Sequence, residues 1–132
     1  KSRDGKEMGG SCTSLPDYKV PFIFANFNGT FDDVDVLTHE AGHALASYYG
    51  SRNIEYPCLR HASAEGAETH SIGMEFLTSP WHHLFFEEDT AKYQESHTKK
   101  ASYFIPYGVI VDYFQEIVYE NPNMTPDERN AV

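Results

Sequence analysis

The sequence predicts a mainly α-helical fold in which a short β-strand precedes the best-defined helix. A run of aromatic and β-branched residues over 20–27 leads into Asn28 and Gly29, a pair typical of turns. Apolar residues then recur at helical spacing from Val34 to Tyr48. Helix start and stop signals follow along the rest of the chain. The 132 residues have the length of one domain.

The strand is the first element expected. Residues 1–17 are polar and glycine-rich, so they predict a loop. Pro21 has no backbone N–H, which favours an edge position or a strand start for the segment 20–27. An edge strand can hold an extended peptide by strand pairing. A strand buried within a small sheet is the alternative.

The first helix is expected to begin at Thr30, a capping residue. Asp32 and Asp33 follow in its first turn, where negatively charged carboxylates stabilise a helix by interacting with its dipole. Gly50 is typical of the position just after a helix. We therefore expect this helix to run to about Tyr49.

Four further helical segments are expected, separated by turn residues or prolines. Their predicted positions are 61–77, a short helix near Trp81 after Ser79-Pro80, 89–104, and 107–120 after Pro106. Thr125 and Pro126, followed by two acidic residues, mark one more helix start. The chain ends shortly after that signal, so we expect residues 1–132 to be a segment of a longer protein.

Charge and hydropathy exclude several classes of partner. Ten Lys and Arg against twenty Asp and Glu give a net charge of −10, so no nucleic-acid partner is expected. No apolar run reaches the roughly eighteen residues of a membrane span, so no membrane partner is expected. Cys12 and Cys58 are expected to be reduced thiols of a cytoplasmic protein. The oligomeric state has no signal in the sequence.

Residues 39–43 read HEAGH, an H-E-x-x-H motif inside the best-defined helix. Two residues four apart lie on one helical face, so the imidazoles of His39 and His43 can reach one Zn²⁺ ion. Glu40 lies beside that face and can act on water without binding the metal. The motif predicts one zinc ion per chain.

A catalytic zinc needs a third protein ligand and an open fourth position. Ala46 and Tyr49 stand where a metzincin has Gly and His, so that subclass is excluded. Ala62 and Ser63 stand where aminopeptidase-like and thermolysin-like spacings need an acid. The acidic residues available nearby are Glu55, Glu65, Glu68 and Glu75.

Three of these acids, Glu65, Glu68 and Glu75, recur at helical spacing, with small residues around them at 62–67. Small side chains let two helices approach closely, as a glutamate needs in order to reach a metal held by the first helix. Glu55 lies in a connection and is a poor rigid ligand. The spacing alone leaves Glu65 and Glu68 open as the third ligand.

The motif HEAGH, followed after twenty-four residues by ETHS at 68–71, resembles the thimet oligopeptidase and oligoendopeptidase F family of zinc peptidases. Other stretches resemble its oligoendopeptidase F branch: PFIFANFNG at 21–29, VLTHEAGHA at 36–44, FIPYGV at 104–109 and VYENP at 118–122. The resemblance covers nearly the whole chain. It implies a zincin-like helical catalytic core in which His39, His43 and Glu68 bind zinc.

The same resemblance implies a zinc metalloendopeptidase that hydrolyses short peptides. Glu40 would be the general base that takes a proton from the zinc-bound water and passes it to the leaving amine. Ser71 is a candidate for orienting an imidazole, and so is Asp35, for which a helix N-terminal acid is the alternative.

Members of this family are several times longer, and they carry a His and Tyr cluster beyond the zinc motifs. Residues 1–132 are therefore expected to be a fragment of a zinc-peptidase catalytic domain. A non-catalytic zinc-binding or interaction fragment of such a peptidase is the alternative.

Overall fold

The computed structural model describes residues 3–132 and is mainly helical, as predicted. The described part contains five α-helices and one two-stranded sheet. It divides into two compact units, one reaching to Thr90 and the other comprising Ala91–Val132. Among the described residues, none of the helices combines the length and the hydropathy that a membrane span requires.

The sheet contains a strand that the sequence analysis missed. β1 (Ser11–Leu15) lies in the segment expected to be a loop. It pairs antiparallel with β2 (Val20–Phe24), so that Ser14 lies opposite Pro21. The loop prediction was wrong because β1 is dominated by Ser and Thr and lacks the apolar alternation that identifies a strand. β2 ends at Phe24, within the predicted segment 20–27.

The first helix, α1 (Asp32–Asn53), begins two residues after the predicted cap. Thr30 does not cap it; instead, the N–H and hydroxyl of Thr30 both donate to Oδ1 of Asn28, at 3.0 and 2.7 Å. The Asp33 carboxylate accepts the N–H of Gly29 at 2.7 Å. These contacts stabilise the turn that leads into α1.

The C-terminal end of α1 also differs from the prediction, because Gly50 lies inside the helix. A Cβ on Gly50 would lie 2.7 Å from the carbonyl oxygen of Arg60. Only glycine allows the returning chain to pack this closely against the helix. The glycine is therefore required for packing, and α1 continues to Asn53.

The second helix, α2 (Ala64–Leu77), occupies most of the predicted segment 61–77. It is capped by Ser63, whose Oγ accepts the N–H of Gly66 at 3.3 Å. A capping serine satisfies an N–H that has no carbonyl partner within the helix.

α1 packs on α2 at Gly42, a residue of the HEAGH motif. A Cβ on Gly42 would lie 2.3 Å from the carbonyl oxygen of His70 and 2.7 Å from Cα of Ser71. The two backbones are thus in direct contact. The small residues at 62–67 predict a close approach of two helices, and the observed contact lies further along α2, at His70 and Ser71. A Cβ on Gly66, within that segment, would lie at ordinary contact distance, 3.5 Å, from the side chains of Ala62 and Ser63.

The short helix expected near Trp81 is a 3₁₀ turn, Ser79–Trp81, followed by α3 (His83–Phe86). The next helix, α4 (Thr90–Glu120), is continuous over 31 residues and contains Pro106. The prediction of two helices separated by Pro106 was therefore wrong. A proline removes one backbone hydrogen-bond donor. The backbone hydrogen bonds before and after Pro106 are enough to keep α4 continuous.

The last helix, α5 (Pro126–Asn130), begins where the sequence predicts. Oγ1 of Thr125 accepts the N–H of Glu128 at 3.3 Å, and the Glu128 carboxylate accepts the N–H of Thr125 at 2.8 Å. This is a capping box. The hydrogen bond from the Thr125 N–H lowers the pKa of the Glu128 carboxyl.

Two matched substitutions test the contact between α1 and α2. Gly42→Ala should lower the free energy of unfolding by about 1–3 kcal/mol, because its methyl group collides with the α2 backbone. Gly73→Ala is the control, since a Cβ on Gly73 would meet nothing within 4 Å. It should raise stability by about 0.5–1 kcal/mol through helix propensity. Urea unfolding measures both, and equal stability of the two variants would contradict the close contact.

Candidate metal centre

The packing of α1 on α2 brings the three predicted zinc ligands together. His39, His43 and Glu68 each place one potential ligand atom within 4.8 Å of the others. Nε2 of His39 lies 3.3 Å from Oε2 of Glu68, and Nε2 of His43 lies 3.8 Å from Oε1 of the same carboxylate. Both imidazoles therefore face one carboxylate from the opposite helix.

The donor atoms of this cluster suit a catalytic zinc ion. Two imidazole nitrogens and one carboxylate form a ligand set that leaves the fourth tetrahedral position for water or substrate. The Glu68 side chain is 53% exposed, so that side of the cluster is accessible. Glu65 lies elsewhere, on the first turn of α2, where hydrogen bonds from its own N–H and from Ser63 lower its pKa.

Ser71 contacts the carboxylate of Glu68, not an imidazole as expected. Its fully buried hydroxyl lies 2.7 Å from Oε2 of Glu68, to which it donates. Ser71 follows Glu68 by one turn of α2, so the two side chains share one face. The hydroxyl thereby restricts the direction in which the Glu68 carboxylate points.

The side of the His39 ring that faces away from Glu68 contacts Glu75, a residue for which the sequence predicts no such role. Nδ1 of His39 lies 2.7 Å from Oε1 of Glu75. The relevant signal was present in the sequence, because Glu75 follows Glu68 by two helical turns on the same face. Asp35, the other candidate for orienting an imidazole, is buried on α1 one turn before His39. The carboxylate that contacts Nδ1 of His39 is that of Glu75, on α2.

A cleft of about 570 Å³ opens over the cluster. Residues of β1, α1 and the start of α2 line it, among them the buried Glu40. Both strands pack against α1, and residues of β1 line the cleft. The Oγ atoms of Ser14 and Ser47 are 2.6 Å apart and join β1 to α1. Peptide binding at the edge of 20–27 stays a prediction, while β1 is a strand that contributes residues to the cleft wall.

Cys12 on β1 lines this cleft, and its surroundings change the pKa of its thiol. Both Cys12 and Cys58 are free thiols. Burial raises the pKa of the Cys12 thiol, and the nearby Glu40 carboxylate raises it further. Cys12 and Glu40 line the same cleft as the ligand cluster.

Comparison with known proteins assigns the family. A family model described as Peptidase family M3 matches residues 1–131. The chain belongs to peptidase family M3. This confirms the family inferred from the motifs at 39–43 and 68–71. None of the curated proteins matches the M3 chain.

Solved structures resemble this M3 chain over nearly its whole length. A protein described as an oligoendopeptidase F from Bacillus anthracis str. Ames is 52% identical, with a TM-score of 0.90 over 98% of this chain. PZ peptidase A, solved with an inhibitor, is 55% identical, with a TM-score of 0.88 over 97% of this chain. The M3 chain spans only 24% and 23% of the lengths of these two proteins.

The raised pKa of Cys12 predicts slow alkylation in the metal-free protein. Only the thiolate reacts, so at pH 7–8 Cys12 should react with iodoacetamide at least about 3-fold more slowly than the exposed Cys58. The difference should narrow towards pH 10, where both thiols ionise. Glu40→Gln, which removes the smaller cause of the shift, should accelerate Cys12 alone. Peptide mass spectrometry measures both rates, and a ratio that stays constant with pH would indicate steric shielding instead.

Proposed function

We propose that this M3 chain is the zinc-binding part of a metalloendopeptidase that cleaves short peptides. The observation that carries the proposal is the convergence of His39, His43 and Glu68 beside Glu40 in one cleft. The family and the oligoendopeptidase names of its solved relatives support peptide substrates. The proposal includes one zinc ion per chain and a cytoplasmic location.

The proposed ligands are the two motif histidines on α1 and Glu68 on α2. A zinc ion there supplies Lewis acidity for a peptide carbonyl and for water. Ser71 donates to the Glu68 carboxylate and so limits its rotation. With both helices in direct contact, the ligand atoms are fixed before substrate arrives, which lowers the entropic cost of reaching the transition state.

Glu40 is the proposed general base. Its position next to His39 places it beside the ligand face without making it a ligand. The Glu40 carboxylate accepts a proton from the attacking water and then returns that proton to the amine of the leaving peptide. Its location in the cleft wall, which also contains both motif histidines and Glu68, supports this assignment.

β1 is the proposed site for the backbone of the substrate. An extended peptide binds to a sheet edge through main-chain hydrogen bonds. β1 lines the cleft beside both motif histidines. The hydrogen bond between Ser14 and Ser47 fixes the strand relative to the zinc helix.

Glu40→Gln tests the general base in the full-length protein. The variant should retain one zinc ion per chain and lose at least about 10²-fold in kcat, because the amide cannot accept the proton. Metal analysis and cleavage of a quenched fluorescent peptide measure these effects, with Glu65→Gln as the control for loss of one carboxylate charge. Zinc binding without cleavage by the unmodified protein would favour the non-catalytic alternative.

Glu68→Ala tests the third ligand. Zinc affinity should fall by more than about 100-fold, since loss of a ligand costs more than the 10–100-fold typical of outer contacts. Competition with a chelator measures the affinity, and Glu65→Ala should leave it unchanged. Tight zinc retention in Glu68→Ala together with loss in Glu65→Ala would reverse the assignment.

A further inference from the structure

The contact between His39 and Glu75 distinguishes the two nitrogens of one imidazole. On one side of the ring, Nε2 faces Oε2 of Glu68 at 3.3 Å. On the other side, Nδ1 lies 2.7 Å from Oε1 of Glu75. Both carboxylates come from α2, so a single helix contacts both edges of the His39 ring.

The carboxylates of Glu68 and Glu75 differ in how far they are buried. The Glu68 side chain is 53% exposed, whereas that of Glu75 is 16% exposed. A largely desolvated carboxylate forms a stronger hydrogen bond than an exposed one, because the local dielectric is lower. Glu75 is therefore placed to hold the ring, while Glu68 remains accessible from the cleft.

A neutral imidazole carries one proton, and the hydrogen bond at one nitrogen decides which nitrogen has a free lone pair. A carboxylate acceptor at Nδ1 favours the tautomer with the proton on Nδ1. The lone pair then lies on Nε2, which points into the ligand cluster. The opposite tautomer would place an N–H where the proposed metal must bind.

We propose that Glu75 is a positioning residue for the metal centre: it fixes the ring and the tautomer of His39 so that Nε2 is the metal-binding atom. This inference rests on the proposed zinc site. α2 then contributes one ligand, Glu68, and the support for a second ligand on α1. Rotation of either helix would disturb both contacts together.

Two substitutions of similar size separate this role from packing. Glu75→Leu fills the space but cannot accept a hydrogen bond, and zinc affinity should fall about 10–100-fold. Glu75→Gln keeps an oxygen acceptor for the Nδ1 proton, so its affinity should lie between those of the wild type and Glu75→Leu. Chelator competition measures the affinity, and Glu65→Gln is the control on the same helix.

Two readouts other than activity report on coordination. Replacement of zinc by Co²⁺ should give a visible spectrum that changes in Glu75→Leu and less in Glu75→Gln. In the zinc-loaded wild type, ¹⁵N NMR of the histidines should show His39 metallated at Nε2 and protonated at Nδ1. The NMR measurement needs no variant, so it decides the question even if Glu75→Leu fails to fold.

The possible failures are distinguishable. Wild-type affinity and an unchanged Co²⁺ spectrum in both Glu75 variants, or metallation of His39 at Nδ1, would overturn the positioning role and leave the zinc site intact. Equal losses in Glu75→Leu and Glu75→Gln would overturn the tautomer argument. Absence of zinc binding by the wild type would overturn the proposed function itself and this inference with it.

Discussion

The direct backbone contact between α1 and α2 at Gly42 is the constraint on which the site depends. With a Cβ at this position only 2.3 Å from the carbonyl oxygen of His70, any other residue would force the helices apart. Because Gly42 lies between the two motif histidines, the closest approach falls at the level of the ligand cluster. Movement of the two helices apart at this level would separate the imidazoles from Glu68.

The site concentrates negative charge around two imidazoles. The carboxylates of Glu68 and Glu75 contact His39 directly, and the buried Glu40 lies next to it on α1. Like charges at this spacing repel one another, and the proposed zinc ion would compensate them. The charge of the cluster and the packing of the two helices therefore both support the proposed zinc site.

Local sequence signals predicted some elements correctly and failed where packing determines the structure. The capping box at Thr125 and Glu128 depends on four neighbouring residues, so the start of α5 could be predicted. The sequence predicts a helix end at Gly50, and this prediction is wrong because the contact of Gly50 with Arg60 is not local. The polar strand β1 has little periodic signal in the sequence. Pro106 predicts a helix break, yet α4 continues through it.

The sequence by itself determined the family, the mainly helical class and the candidate ligands, because residue identity and spacing specify both the HEAGH helix and the glutamate that follows it. Only the tertiary structure showed which atoms meet. It placed Ser71 on Glu68, Glu75 on Nδ1 of His39, and β1 beside the motif. These contacts join segments that are distant in sequence or depend on side-chain direction. The contact of Glu75 with His39 is a consequence of how α1 crosses α2, and helical periodicity along one segment cannot specify that crossing.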